Sequence, residues 1–284
     1  MDLRKLMAGV LILCSGCGLA IQTHENQDIS GNGSIINGTP VEERVSDAAK
    51  SVVLIEMHDI QGRPLTICTA TLIGPNTVLT AAHCFDKTRM RAFGGFNVIF
   101  TNNYLKTYGN ALKLKGLRMA LHGSYNSTKM YDHDIALGTF KGEVPEGYEP
   151  VDYDSDKAAN YAHQTVYSYG FGKSQDYTGK RGERGHEYVG VLHRGVLKVA
   201  GNYNSYSDRY FLDPSTSVFI CSGDSGGPQF FHEDGVLKVI GVHSAVYGTK
   251  LDNGFTSCKG RGQVTKVAPF AQWIRETESK LLTN

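Results

Sequence analysis

From residue 50 onward, short runs rich in β-branched and aromatic residues alternate with clusters of Gly, Asn and Asp. Ser51–Met57, Thr66–Ile73, Asn97–Thr101, Thr165–Tyr169 and Val191–Val199 are such runs. Strands this short and this often punctuated predict an all-β sandwich or barrel. Phe230–Ile240 reads as a hairpin with Asp234-Gly235 supplying the turn. One stretch has helical spacing. Phe270, Trp273, Ile274 and Leu281 recur on one face, with Glu276, Glu278 and Lys280 elsewhere, which predicts a C-terminal helix over about 267–282. Glu143–Lys157 is polar, carries two prolines, and reads as the connection between two halves.

Hydrophobic residues make up 40% of the 284, enough to bury one large core or two modest ones. With 29 basic against 28 acidic residues and no run of five like charges, a polyanion-binding surface is not indicated, and nucleic acid is not an expected partner. No stretch reaches 18 apolar residues, which excludes a spanning helix.

The N-terminus has the layout of an export signal. Arg4 and Lys5 precede the apolar run Leu6–Leu13, and Gly18-Leu19-Ala20 is a small-x-small cleavage site, so residues 1–20 are expected to be a signal peptide. A rival reading takes Leu13-Cys14-Ser15-Gly16-Cys17 as a loose lipobox, with a lipid anchor at Cys17. Residues 21–34, polar and Gly/Asn/Ser-rich, suit a propeptide or linker. The mature chain is then secreted, or periplasmic and at the cell envelope. Without the signal four cysteines remain, and an even count in an exported chain favours two disulfides, with three connectivities open. Zinc would want paired short spacings, whereas the gaps between Cys68, Cys84, Cys221 and Cys258 are 16, 137 and 37 residues. Neither metal nor cofactor is expected.

The chemistry concentrates in three strings. Gly223-Asp224-Ser225-Gly226-Gly227-Pro228 sets a serine in a glycine-rich turn. A serine hydroxyl is a weak nucleophile until a base takes its proton and backbone N–H groups stabilise the oxyanion that forms. Thr80-Ala81-Ala82-His83-Cys84 offers a base tethered by a cysteine, and Tyr131-Asp132-His133-Asp134-Ile135-Ala136-Leu137 offers an acid to orient it. Asp132 and Asp134 both qualify chemically. Asp134 adjoins the apolar run and is the one expected to be buried.

His83, Asp134 and Ser225 in that order, within TAAHC, DIAL and GDSGGP, resemble the chymotrypsin/trypsin-family serine endopeptidases over about residues 35–284. Gly170-Phe171-Gly172 is similar to a family Gly-Trp-Gly turn, and Trp273-Ile274 to its terminal-helix signature. The resemblance implies two six-stranded antiparallel β-barrels, the first over about 35–150 and the second over about 151–265, closed by the C-terminal helix. It implies a Ser225 nucleophile, a His83 base, an orienting Asp134, and an oxyanion hole made by the Gly223 and Ser225 N–H groups. Ser244 resembles the serine whose hydroxyl faces the buried Asp. The implied disulfides are Cys68–Cys84 and Cys221–Cys258. Protein or peptide substrates are the implied partners, with a protein protease inhibitor as a further one, acting on a monomer.

Two finer expectations follow from the resemblance. Ile35-Ile36-Asn37-Gly38 resembles the family's mature N-terminus, so cleavage after Ser34 would free an Ile35 amine to pair with Asp224. Ser34 departs from the Arg or Lys of trypsin-activated zymogens, which points to another activating protease or to the enzyme itself. Phe219 stands where trypsins carry the Asp at the base of the specificity pocket, with Ser244, Val246 and Gly262 as walls, implying a shallow apolar pocket and no preference for Arg or Lys. His243 supports a glutamate-preferring alternative, because glutamate-specific relatives carry a pocket histidine there. A catalytically inactive, protease-like binding module is the alternative from outside enzymology, and the intact triad argues against it.

Overall fold

The computed structural model describes residues 35–90, 92–129, 132–183, 189–201 and 207–283. The expected signal peptide, the propeptide and the Cys17 anchor lie outside them. The described chain's regular structure is mainly antiparallel strand. A two-residue strand, β1 (Thr39–Pro40), and a one-turn helix, α1 (Asp47–Ser51), come first. Six strands then close into a barrel: β2 (Val52–Asp59), β3 (Pro64–Gly74), β4 (Thr77–Thr80), β5 (Phe93–Phe100), β6 (Leu112–Leu121) and β7 (Ala136–Phe140), in the order β2-β3-β4-β7-β6-β5. A short helix, α2 (Tyr104–Thr107), sits between β5 and β6, and the Asn103 side chain caps it by accepting from Lys106 N.

The second half forms a seven-stranded sheet from β1 with β8 (Thr165–Gly170), β9 (His193–Lys198), β10 (Arg209–Phe211), β11 (Pro228–Glu233), β12 (Val236–Tyr247) and β13 (Arg261–Lys266). Its order is β1-β9-β8-β11-β12-β13-β10. The sheet curls until β10 returns to β9. A Val199–Leu212 bridge, with Ala200 N donating to Phe211 O and Asp213 N to Lys198 O at 2.8 Å each, joins the ends into a second ring of six strands. That last seam is a bridge, not a full ladder, because β10 is only three residues long. β1 lies outside the ring, pairing Thr39 with Arg194, so the start of the described chain is docked on the second sheet and not on the first barrel.

Each barrel has its own apolar filling. Leu54, Val98, Leu79 and Leu137 are fully buried in the first, and Val166, Leu197, Ile240 and Val264 in the second. Full burial of a side chain of this size stabilises by roughly 1.5–3 kcal/mol, so each core holds its strands in register. The β11–β12 hairpin turns at Asp234 and Gly235 with φ of 50° and 81°, the left-handed pair that suits the twist of the strands. The C-terminal helix, α3 (Ala271–Thr283), starts later than the spacing predicted, after a 3₁₀ turn at Ala268–Phe270. Pro269 explains the offset. It fits the first turn, where no N–H is needed, and Phe270 N closes that turn onto Val267 O at 2.9 Å. Ile274 is buried, and Trp273 and Leu281 pack against the first-barrel core.

Candidate active site

Three segments from both barrels converge. Thr80 ends β4, and the chain enters a 3₁₀ turn (Ala82–Phe85) that carries His83, 13% exposed at its side chain. Asp134, fully buried, immediately precedes the apolar run into β7. One carboxylate oxygen accepts from His83 N at 2.9 Å, and the other meets His83 Nδ1 at 2.7 Å. Ser244 on β12 donates its hydroxyl to that second oxygen at 2.6 Å. A carboxylate bonded this way holds the imidazole with Nδ1 inward and Nε2 outward. Asp132 differs: it is half-buried and ion-paired with Arg209.

Ser225 comes from the turn before β11. Thr69 N on β3 donates to Ser225 O at 2.9 Å, and Cys84 Sγ lies 3.8 Å from the same oxygen, so the histidine's neighbour packs onto the serine's backbone. Cys84 is bonded to Cys68, and Cys221 to Cys258. Cys68, His83 and Cys84 form a cluster with the spacing of metal ligands. Its two sulfurs are joined to each other, which leaves no thiolate to bind a metal.

The turn is held by its own carboxylate. Asp224, fully buried, accepts from Gly172 N and Cys221 N, each at 2.8 Å. A Cβ at Gly170 would sit 2.1 Å from Asp224 Oδ1, and one at Gly172 2.5 Å from Asp224 Cγ, so the Gly-Phe-Gly turn has no side chains where this carboxylate lies. Burial pushes the Asp224 carboxyl up to about 7, against the opposing pull of the two N–H donors. The N–H groups of Gly223 and Ser225 donate to no acceptor among the described residues, so both remain open to a ligand.

A cavity of about 310 Å³ adjoins Ser225, which forms part of its wall. Ser244, Val246 and Ile220 line it, with His243 and a stacked pair, Tyr177 and Phe255, whose ring centroids are 4.5 Å apart. Phe219 and Gly262, expected in the lining, are not part of it. Phe219 is engaged in a backbone bridge with Ile36 and packs into the cluster of Ile36, Tyr177 and the Cys221–Cys258 bridge. Gly262 lies behind Ile220, whose Cδ1 would be 3.1 Å from a Cβ there. Among the described residues, no Asp, Glu, Lys or Arg lines the cavity. His243 is fully buried, with Nε2 3.0 Å from Ser168 Oγ and Nδ1 3.3 Å from Asp224 O. Burial pushes its pKa down to about 4, so it is neutral at physiological pH.

Sequence reasoning missed Thr69, Tyr177 and Phe255. Thr69 is an ordinary strand residue in composition, and only its neighbour Cys68 hints at its place. Among known families, the Trypsin family model matches residues 37–274, which include all three segments of the site.

Proposed function

The chain belongs to the trypsin family of serine proteases, and on that premise we propose that it is an active endopeptidase with Ser225, His83 and Asp134 as its triad. The observation that carries this reading is the Asp134 carboxylate, buried and bonded at once to His83 N, His83 Nδ1 and Ser244 Oγ, close to a cavity that Ser225 helps to line. Ser225 Oγ attacks the scissile carbonyl as His83 takes its proton through Nε2. The Gly223 and Ser225 N–H groups receive the oxyanion, and His83 then protonates the leaving amine. Water repeats the sequence on the acyl-enzyme. Two disulfides suit an oxidising compartment, so the enzyme is proposed to work outside the cytosol, as a monomer, on protein or peptide substrates and open to protein inhibitors.

The pocket supports apolar side chains at the cleaved position. An Arg or Lys would meet no carboxylate among the described residues there, and an unpaired buried charge is costly. A glutamate would meet a neutral His243, both of whose ring nitrogens already have interior partners. A peptide-library profile is expected to favour Ala, Val or Leu; faster hydrolysis of an Arg-nitroanilide than of matched Ala, Leu and Glu substrates would overturn this. Val246, paired with Gly262 across β12 and β13, narrows the cavity. Val246→Gly is therefore expected to raise kcat/KM for a Phe substrate, relative to Ala, by about 10–100-fold. An unchanged ratio would show that Val246 does not set the pocket's width.

A further inference from the structure

We infer that Thr69 is a positioning residue for the oxyanion turn: its hydroxyl holds the Gly223 carbonyl in place, so that the N–H groups flanking it stay aimed at the reacting centre. The inference rests on Ser225 being the nucleophile.

Thr69 lies on β3 of the first barrel, fully buried, and all its polar groups act on the site. Its N–H donates to Ser225 O at 2.9 Å, and its carbonyl accepts from Thr80 Oγ1 at 2.9 Å, just ahead of the His83 turn. Its hydroxyl donates to Gly223 O at 2.9 Å and accepts from Phe171 N at 3.0 Å. The two ends of that hydroxyl therefore join the nucleophile turn to the Gly-Phe-Gly turn, whose Gly172 N holds Asp224.

Gly223 is where such a restraint is needed. It has φ of 97°, and with no Cβ its flanking peptides rotate at little cost. Hydrogen bonds must set their planes instead. Lys173 N takes Ser222 O at 2.8 Å and fixes the peptide that carries the Gly223 N–H. Thr69 Oγ1 donates to Gly223 O at one end of the next peptide, whose Asp224 N–H donates to Cys221 O at 3.0 Å, and that peptide leads through Asp224 to the Ser225 N–H. The first restraint comes from backbone alone. The second is shared between a backbone bond at the N–H end and, at the carbonyl end, a side chain that substitution can remove.

The test compares Thr69→Val, which keeps the shape and loses the hydroxyl, with Thr69→Ser, which keeps the hydroxyl. Each is measured as the chain cleaved before Ile35 on an apolar nitroanilide substrate, with kcat referred to folded protein by Trp273 fluorescence. Losing one direct oxyanion donor costs about 10²–10³-fold in kcat, so an indirect loss should be smaller, about 10–100-fold for Thr69→Val. KM should stay within about threefold, and a peptide aldehyde, which forms the tetrahedral oxyanion, should weaken by the same factor as kcat. Thr69→Ser should stay within about threefold of wild type in all three readouts. The inference is overturned if Thr69→Val keeps its kcat, if its loss lies in KM alone, or if Thr69→Ser loses as much. If Thr69→Val does not fold, Thr69→Ala replaces it; if neither folds, the role of Thr69 is in folding and the inference fails. A wild-type chain that a fluorophosphonate does not label at Ser225 would instead defeat the reading on which this one rests.

Discussion

Asp134→Asn is expected to lower kcat by about 10⁴-fold while leaving the fold intact, the scale associated with this family's triad aspartate. The asparagine is isosteric, and its oxygen can still accept from His83 N, which leaves its NH₂ where the carboxylate oxygen met His83 Nδ1 and Ser244 Oγ. It cannot keep Nδ1–H as the donor if its amide NH₂ turns toward the ring, and it offers no charge to an imidazolium. The imidazole then presents the wrong tautomer to Ser225, and the charged intermediate loses its counter-ion. Asp132→Asn is the internal control. Asp132 is half-buried and pairs with Arg209, away from the His83 ring, so its substitution should change kcat by less than about threefold. Steady-state kinetics of the two variants, with melting temperatures to confirm folding, decide between the acids. A larger loss in Asp132→Asn would reverse the assignment.

The second large effect concerns Asp224. Moving its carboxyl from the ordinary 3.8 to about 7 costs the charged form about 4 kcal/mol in a chain whose Ile35 is still joined to Ser34. For an acid with a raised folded pKa, that penalty is absent below about 3.8 and complete above about 7. The uncleaved chain should therefore lose stability as pH rises through this window, and Asp224→Asn should flatten the loss. Cleavage after Ser34 would supply a cation. Ile36 and Phe219 exchange backbone hydrogen bonds of 2.8 and 3.2 Å, which docks the chain beside Ile35 two residues from Cys221, whose N–H reaches Asp224. Ile35 itself is fully buried.

Pairing with Asp224 would raise the amine above its unfolded value of about 8. Its stabilisation would then be complete below that value and be lost at higher pH, as the amine deprotonates through its folded pKa. Removing one partner of a buried pair costs about 3–5 kcal/mol, so Asp224→Asn in the cleaved chain is expected to lose about 10²–10³-fold in kcat/KM. Activity within about fivefold of wild type would sink the idea. So would active protein whose N-terminus, by Edman sequencing, is Ile21 or Cys17.

Much of the fold could be read locally. The Asp234-Gly235 turn and the spacing of Phe270, Trp273 and Ile274 are short-range signals, and both elements formed where their physics requires, apart from the offset imposed by Pro269. The apolar neighbours of Asp134 likewise pointed to its burial. Contacts distant in sequence were not legible. Thr69 acts on Gly223 across 154 residues, and nothing in its flanks distinguishes it from other strand threonines. Counting back from Ser225 selected Phe219 for the pocket, but the bridge to Ile36 draws that residue away and leaves Ile220 at the wall. Tyr177 and Phe255 stack across loops 78 residues apart, a pairing that no local pattern encodes.

Fluorophosphonate labelling followed by peptide mapping, done on the chain cleaved before Ile35, tests the central claim most directly. A single adduct on Ser225 is predicted, formed together with loss of hydrolysis, whereas Ser225→Ala should take no label and lose about 10⁵–10⁶-fold in kcat. An adduct on another residue, or hydrolysis that persists in Ser225→Ala, would contradict the account.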